Sequence, residues 1–269
     1  QRQMCIRDSY SDTRMGASMD SYLNGYNDPR LPVYFQPVTE GDNKGEYRGV
    51  ANGMPNPQQD DYKAMSAPNV QEKSTDSPLR WMMASEVAFL RAEGAMRGWA
   101  MGGDAKTFYN KGIELSFLEN GLSAAQAATY AESEAKPAAF EDASSSTTAY
   151  SIGAPSQITV KWNDGADQEE QLERIITQKW IANWQLGNEA WADFRRTGYP
   201  RLMPATAEGN KSNGKVDSRM GARRMPYPQV EYTTNGENVR QAVASYLNGG
   251  DNMATRLWWD CKQDLPQLR

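Results

Sequence analysis

The 269-residue sequence contains no histidine and only two cysteines, Cys5 and Cys261. Without histidine, Ser-His-Asp and Cys-His catalysis and histidine-ligated zinc are excluded for this chain. Two cysteines are too few for a disulfide framework or a cysteine-ligated zinc site. We therefore expect no catalytic residue and no metal of these kinds, and the cysteines do not reveal the redox compartment.

Phosphate-binding motifs and long apolar runs are also missing. Gly94, Gly98 and Gly102 do not have the spacing of a dinucleotide-binding loop, so we expect no nucleotide cofactor. No apolar run approaches the roughly 18 residues that span a bilayer, so membrane attachment would require a lipid or a partner. The formal charge of −5 and the lack of a basic run argue against nucleic acid as a partner.

Carboxylates remain as possible catalytic groups. Glu189 and Asp193 stand four residues apart, and Glu86 and Glu93 stand seven apart, so each pair shares a helix face. Two such groups could serve as the acid and base of a glycoside hydrolase. Pairs of this kind more often neutralise nearby cations. The cations in question are Arg91, Arg195 and Arg196.

Tryptophan is concentrated between residues 178 and 202. Trp180 and Trp184 lie one helical turn apart, and Leu172 and Ile176 continue their face towards the N-terminus. A second short helix carries Trp191 and is predicted to end at residues 198–200, where Gly and Pro occur. This spacing favours a packed aromatic core over a ligand-stacking surface.

Further capping signals and apolar spacing predict several other helices. One extends from Ser77 to about Gly98, and a second from Asp104 to Gly121, and the two resemble a tetratricopeptide-type pair. Capping-box spacing at 123/126 and 167/170 predicts two more helix starts, and another helix is expected at 237–247. The segments 31–69 and 136–167 are predicted to be long loops, the first with short strands.

Several motifs, in order along the chain, are similar to those of one known family. They are Tyr26–Leu31 (YNDPRL) with Tyr34 and Phe35, Tyr47–Gly49, Ala88–Glu93, Ala105–Ser116, Gln178–Leu202, Arg223–Pro228 (RRMPYP) and Leu257–Asp260 (LWWD). Together they resemble the SusD/RagB family of nutrient-binding outer-membrane lipoproteins, and most closely its starch-binding-associated branch. The similarity extends from about residue 15 to residue 262.

The resemblance implies a mainly α-helical SusD-like fold with tetratricopeptide-type helix pairs and long ordered loops with short strands. Residues 10–269 would form the C-terminal part of a single domain, with the N-terminal half, signal peptide and lipidated cysteine outside this sequence. Residues 1–9 match none of the family motifs and are interpreted as a leader foreign to the natural protein. Cys5 lacks a preceding apolar segment, so it is not expected to be the lipid anchor.

The family also implies a function without catalysis. Its members capture oligosaccharide at the cell surface of Gram-negative, Bacteroidetes-like bacteria and deliver it to a SusC-type TonB-dependent transporter in the outer membrane. A peptide is the second ligand class, and no cofactor is implied. Two alternatives remain open at this point: a glycoside hydrolase that uses the carboxylates above, and a helical-repeat scaffold that binds only protein.

Sugars present apolar C–H faces to aromatic rings and hydroxyl rims to amides, so aromatic and amide side chains in the loops are the candidate ligand-binding groups. These candidates are Tyr34, Asn43, Tyr47, Tyr62, Trp99, Tyr150 and Trp162. By contrast, the Trp258–Trp259 pair and the Pro226–Pro228 segment are expected to be rigid, architectural elements.

Overall fold

The computed structural model describes residues 13–54, 64–69, 80–143 and 149–268, and regular structure within these ranges is almost entirely helical. The α-helices are α1 (Ala17–Gly25), α2 (Leu31–Tyr34), α3 (Ala84–Met96), α4 (Ala105–Glu119), α5 (Ala124–Ala131), α6 (Gln168–Ala182), α7 (Gly187–Thr197), α8 (Gln229–Thr234) and α9 (Gly236–Tyr246). A 3-10 helix at Pro266–Leu268 ends the described chain. The mainly α fold class is thus confirmed.

The short strands expected in segment 31–69 are single bridges within the described residues. Gly16 pairs with Val50, and Phe35 pairs with Pro68. A third bridge joins the two halves of the loop between α5 and α6, at residues 140 and 152. The proline-rich loops are therefore held by isolated contacts and by side chains rather than by a sheet.

Local capping chemistry determines where several helices begin. Asp104 accepts a hydrogen bond from the Thr107 N–H (2.9 Å) at the start of α4. Ser123 and Gln126 form the reciprocal capping box at the start of α5. At α6, the side chain of Asp167 caps the helix, as predicted from its spacing. The predicted start of α3 at Ser77 lies outside the described residues, but residues 80–83 are not helical and α3 begins at Ala84, so the predicted start is wrong.

Helices α3 and α4 form the closest helix pair. Gly112 on α4 lies directly under the buried ring of Phe89 on α3, and a Cβ at residue 112 would come within 2.6 Å of that ring. Glycine is therefore required here by close approach, although it lowers helix propensity. The expected pair exists; its assignment as a tetratricopeptide repeat stays a prediction.

The main core surrounds α1 and is completed by α4, α5 and α6. Trp180 packs edge-on against Tyr22 of α1, with ring centroids 5.6 Å apart. Trp184 stacks on Tyr34 at 5.6 Å and also contacts Phe35 at 4.7 Å. Both tryptophans are partly buried and pack against the core, as predicted, whereas Trp191 is not part of this cluster.

Helix α1 was not predicted from the sequence. Its residues from Ala17 to Leu23 are all buried, including Ser18, Asp20 and Ser21. A helix that is covered on every side has no polar face, so it lacks the amphipathic spacing by which helices are recognised. Only the tertiary structure reveals it.

Candidate ligand-binding site

Two of the predicted loops meet at a surface cavity of about 330 Å³, here called the loop pocket. Residues 51–52 form one wall, segment 149–152 forms the second, and segment 203–208 forms the third. Asn52, Tyr150, Ser151, Thr206 and Glu208 contribute polar atoms to its lining. The pocket thus joins the early loop to the loop between α5 and α6.

Hydrogen bonds fix the first wall of the loop pocket to the third. The Asn52 side chain donates to the Met203 carbonyl (3.0 Å), and the Asn52 carbonyl accepts from the Thr206 N–H (2.8 Å). The Thr206 hydroxyl donates to the Gly53 carbonyl (2.5 Å). Gly209 follows so closely that a Cβ there would lie 1.9 Å from the Gly53 oxygen. The distance between these walls is therefore set by the main chain.

The floor of the loop pocket is apolar. Ala17, Ala51, Phe140 and Met203 form a small buried cluster, and the Tyr150 ring packs against it. The bridge between residues 140 and 152 holds the Tyr150 wall in place through two backbone hydrogen bonds of 2.8 and 3.0 Å. The pocket thus has a fixed base.

The rim of the loop pocket is polar. Ser151 and Glu208 are exposed there, and Asn52 and Thr206 lie beside them. An apolar floor with a few convergent hydroxyl, amide and carboxylate groups is typical of small-ligand sites, and the cavity volume falls in their usual range. Among the described lining residues Glu208 is the single titratable group apart from Tyr150. The described lining of the pocket therefore combines an apolar floor with hydrogen-bonding groups and does not contain the pair of carboxylates that glycoside hydrolysis requires.

The carboxylates considered for catalysis lie elsewhere, around the buried Lys179. Its Nζ lies 2.8 Å from Asp193, 3.2 Å from Glu189 and 3.4 Å from Glu86. Burial alone would lower the pKa of Lys179, but these three carboxylates raise it above its ordinary value. Burial raises the pKa of the Glu86 carboxyl, and Lys179 offsets this only in part. Three helices are joined here by a cation and its counter-charges.

The fourth of these carboxylates, Glu93, is fully occupied by arginines. Arg196 donates two hydrogen bonds of 2.7 Å to its two oxygens, and Arg97 adds two more to Oε1. Arg196 also pairs with Asp193, as predicted for an arginine near carboxylates. Arg195 behaves differently, because it donates to the Trp191 and Arg223 carbonyls rather than to a carboxylate.

The structure corrects the expected exposure of two candidate ligand-binding residues. Tyr34 is buried, and this burial raises the pKa of its phenol to about 12. Trp162 is also buried; its ring lies 5.2 Å from that of Tyr109 and its Nε1 donates to Asp164. Both rings fill the core, so the expectation that they present a face to solvent is wrong.

The remaining candidates are dispersed over the surface. Asn43 and Tyr47 are half-buried in the early loop, and Tyr47 packs against the main core. Trp99 is exposed on the connection between α3 and α4 and does not line the loop pocket. Tyr62 lies outside the described residues. Of the seven candidates, Tyr150 alone lines the loop pocket among the described residues.

Two exposed aromatic residues were not anticipated. Trp258 is 90% exposed and Tyr246 is 81% exposed. Trp258 was expected to stack with Trp259 as an architectural pair. Instead, the ring of Trp259 faces Arg195, whose guanidinium carbon lies 4.7 Å from the Trp259 ring centroid. Two adjacent tryptophans therefore have different surroundings, and the local sequence does not indicate which of the two side chains is exposed.

The nearby RRMPYP and LWWD motifs are joined by a buried ion pair. Arg223 donates to both oxygens of Asp260, at 2.6 and 2.7 Å, and both side chains are nearly inaccessible to solvent. Arg256 adds two hydrogen bonds to the same carboxylate, at 2.9 and 3.1 Å. Charged residues thus connect the two motifs, whereas the architectural role was predicted for the Trp258–Trp259 pair and the Pro226–Pro228 segment.

Comparison with known proteins identifies one family. The model of the SusD-like family, described as SusD and RagB outer membrane lipoproteins, matches residues 1–260. This span includes residues 1–9, which we interpreted as a foreign leader; their origin is not tested and stays a prediction. No match was found among curated proteins. None of the helices in the described ranges combines the length and apolar character needed to cross a lipid bilayer.

Solved structures of similar fold come from Bacteroidetes species. A SusD homologue from Bacteroides uniformis is 48% identical, with a TM-score of 0.86 over 95% of this chain and 51% of its own. One from Bacteroides thetaiotaomicron is 42% identical, with a TM-score of 0.87 over 98% and 55% of the two chains. A chitin-binding SusD homologue from Flavobacterium johnsoniae is 39% identical, with a TM-score of 0.87 over 96% and 52%. The chain thus spans about half the length of these relatives.

Proposed function

Since the chain belongs to the SusD-like family, we propose that it is part of a non-catalytic protein that binds oligosaccharide at the bacterial surface. The loop pocket is the observation that carries this proposal. Its apolar floor and the ring of Tyr150 suit the C–H face of a sugar, and its rim supplies hydrogen-bonding groups for hydroxyls. The similarity to a chitin-binding homologue supports a glycan as the ligand class.

The environment of the acidic residues supports the absence of catalysis. Glu86, Glu189 and Asp193 are directed at Lys179, and Glu93 is directed at two arginines. A glycosidase needs one carboxylic acid and one carboxylate on opposite sides of a bound sugar. These four groups instead neutralise the buried Lys179 and two partly exposed arginines, which is a structural role.

Attachment to the outer membrane and delivery to a transporter form the second part of the proposal. The family is described as outer membrane lipoproteins, so we place the complete protein there through a lipid. Its transport partner would be a SusC-type TonB-dependent barrel. Co-expression of the two followed by affinity purification should recover them together at a fixed ratio, whereas recovery of either protein alone would contradict this part.

Calorimetric titration tests glycan binding at the loop pocket. The probes are neutral malto-, xylo- and chito-oligosaccharides. For whichever probe binds, Tyr150→Ala should weaken the affinity roughly three- to twelvefold if its ring stacks on the sugar. Glu208→Gln, which keeps the size of the rim side chain, should have a smaller effect. Trp81→Ala removes an exposed aromatic side chain outside the pocket and serves as the matched control.

Unchanged affinity in Tyr150→Ala, with normal folding, would contradict the assignment to the loop pocket. Loss of affinity in Trp99→Ala instead would move the site to the connection between α3 and α4. Release of products from any probe, abolished by Glu189→Gln or Asp193→Asn, would overturn the non-catalytic function.

A further inference from the structure

A second candidate binding site lies near the end of the described chain, away from the loop pocket. It is a surface groove of about 930 Å³, here called the C-terminal groove. Its lining includes the charged, aromatic and amide side chains of Lys215, Tyr246, Asn248, Arg256, Trp258 and Asp260. None of these residues lines the loop pocket, so the two sites can be tested separately.

Two aromatic side chains of the C-terminal groove are almost free of protein contacts. Trp258 and Tyr246 are the most exposed tryptophan and tyrosine among the described residues. Their ring faces are therefore open to a ligand that brings an apolar face of its own. Asn248, which is exposed beside them, makes no side-chain hydrogen bond within the described residues. Ring faces and a free amide are the groups that a sugar engages.

The charge of the C-terminal groove is positive, although the whole chain carries −5. Its lining contains the cations Lys215 and Arg256 and one carboxylate, Asp260. Arg223, behind the lining, already pairs with Asp260. One negative charge is therefore matched by two guanidinium groups even before Lys215 is counted.

Lys215 is the cation most available to a ligand. Its side chain is exposed, and no carboxylate of the described residues pairs with it. Arg256 is less available because Asp260 and the Lys262 carbonyl accept its hydrogen bonds. A cleft lined by unbalanced charge of one sign concentrates ligands of the opposite sign.

From this combination we infer that the C-terminal groove binds an acidic oligosaccharide. The sugar rings would lie against Trp258 and Tyr246, and an anionic substituent would face Lys215. The anion is either a uronic acid carboxylate or a sulfate, since an ammonium group attracts both. This site goes beyond the proposed function, which requires only that a neutral glycan binds at the loop pocket.

Titration with three classes of oligosaccharide tests the inference. The probes are oligogalacturonate, a chondroitin sulfate oligosaccharide and the neutral cellohexaose. At low ionic strength at least one acidic probe should bind, and cellohexaose should bind the groove more weakly. The affinity for the acidic probe should fall when salt is raised from about 20 mM to about 500 mM, because exposed charges are then screened.

Two variants with matched controls locate the binding. Lys215→Gln should weaken binding of the acidic probe roughly three- to tenfold without changing that of a neutral sugar. Lys211→Gln makes the same charge change on the same exposed segment but outside the groove, and should leave the affinity unchanged. Trp258→Ala should weaken binding of acidic probes, whereas Trp99→Ala should not. All four variants should melt as wild type, because each side chain is exposed.

The inference is overturned if neither acidic probe binds, if cellohexaose binds equally well and its affinity also falls in Trp258→Ala, or if Lys215→Gln and Lys211→Gln behave alike. Tighter binding of a single-stranded oligonucleotide than of the acidic glycans, lost in Trp258→Ala, would also overturn it and assign the groove to nucleic acid. None of these results would affect the proposed function, which is tested by the loss of neutral glycan binding in Tyr150→Ala. Failure of this inference and failure of the proposed function are thus distinguishable.

Discussion

At the scale of single residues, the core depends on a buried ion pair. Arg30 and Asp28 have no side-chain exposure and lie 2.6 Å apart. The guanidinium also donates to Ser116 and Gln178, and Tyr130 donates to Asp28. Every charge in this group has a partner, as the high cost of a buried unpaired charge requires.

Replacing Asp28 with asparagine should therefore be severe. Asp28→Asn leaves the Arg30 charge buried without its counter-ion and is expected to lower the free energy of unfolding by about 3–5 kcal/mol. Asp217→Asn, in the exposed pair with Arg219, should cost less than about 1 kcal/mol. Urea denaturation of both variants measures the change in the free energy of unfolding. Equal losses in the two variants would show that the buried pair stabilises the fold no more than the exposed pair.

The Glu93 carboxylate gives a prediction about pH. Desolvation acts against its ionisation, but hydrogen bonds and charge from Arg196 and Arg97 outweigh this and lower its pKa below the usual 4.5. A carboxyl with a lowered folded-state pKa stabilises the fold above about pH 4.5 and loses this contribution as pH falls through the folded-state value. Glu93→Gln should thus lose about 1.5–3 kcal/mol at pH 7.

The stability difference between wild type and Glu93→Gln should shrink as pH is lowered below about 4.5. Urea denaturation from pH 7 to the lowest pH at which both proteins fold provides the measurement. Glu132→Gln alters an exposed pair with Lys161 and should differ from wild type by less than about 1 kcal/mol at neutral pH. A Glu93→Gln deficit that grows towards acid pH would contradict the expected sign.

At the scale of elements, Trp184, just after the end of α6, packs against residues at the end of α2. Its ring contacts Tyr34 and Phe35, which flank the end of α2. Trp184→Ala should lower the free energy of unfolding by about 3 kcal/mol, since a large ring is lost from the edge of the core. Trp184→Phe retains part of the contact and should cost clearly less. A wild-type melting temperature in Trp184→Ala would exclude a packing role.

Helix positions were predictable where the determinant is local. Asp104, Ser123 and Asp167 were recognised as caps because a cap and its partner lie within three residues of each other. Helix α1 was not, because its burial on all sides depends on distant parts of the chain such as Gly49, whose N–H donates to Asp20. Sequence patterns thus predict helix ends that depend on neighbouring residues, but not helices whose burial depends on distant segments.

At the scale of the whole molecule, the same distinction explains the candidate sites. Tyr34 and Trp258 are both aromatic residues within family motifs, yet one is buried and the other is 90% exposed. Which ring is covered depends on elements brought together by folding, so loop position alone could not separate binding from packing. Tyr150 was predictable as a loop residue, but its neighbours Asn52 and Thr206 were not predictable as pocket partners.

Apolar side chains on the helix pair predict how the isolated chain behaves in solution. Val87 and Leu90 on α3 and Leu118 on α4 are exposed, and a groove of about 930 Å³ lies between α3, α4 and α5. The chain should therefore bind a hydrophobic dye or self-associate. Val87→Glu, which changes a residue that lines this groove, should reduce both, whereas Val230→Glu, outside the groove, should not. A dye-silent monomer in wild type would contradict this expectation.

The contact between Gly53 and Gly209 has a consequence for altering the ligand preference of the protein. No side chain can be added at residue 209 without displacing a wall, yet Tyr150, Ser151 and Glu208 are not held by that contact. The spacing of the pocket and the chemistry of its rim are thus encoded by separate residues. A library randomised at positions 150, 151 and 208 should consequently yield folded proteins with exchanged sugar preferences, on a frame that two glycines keep constant.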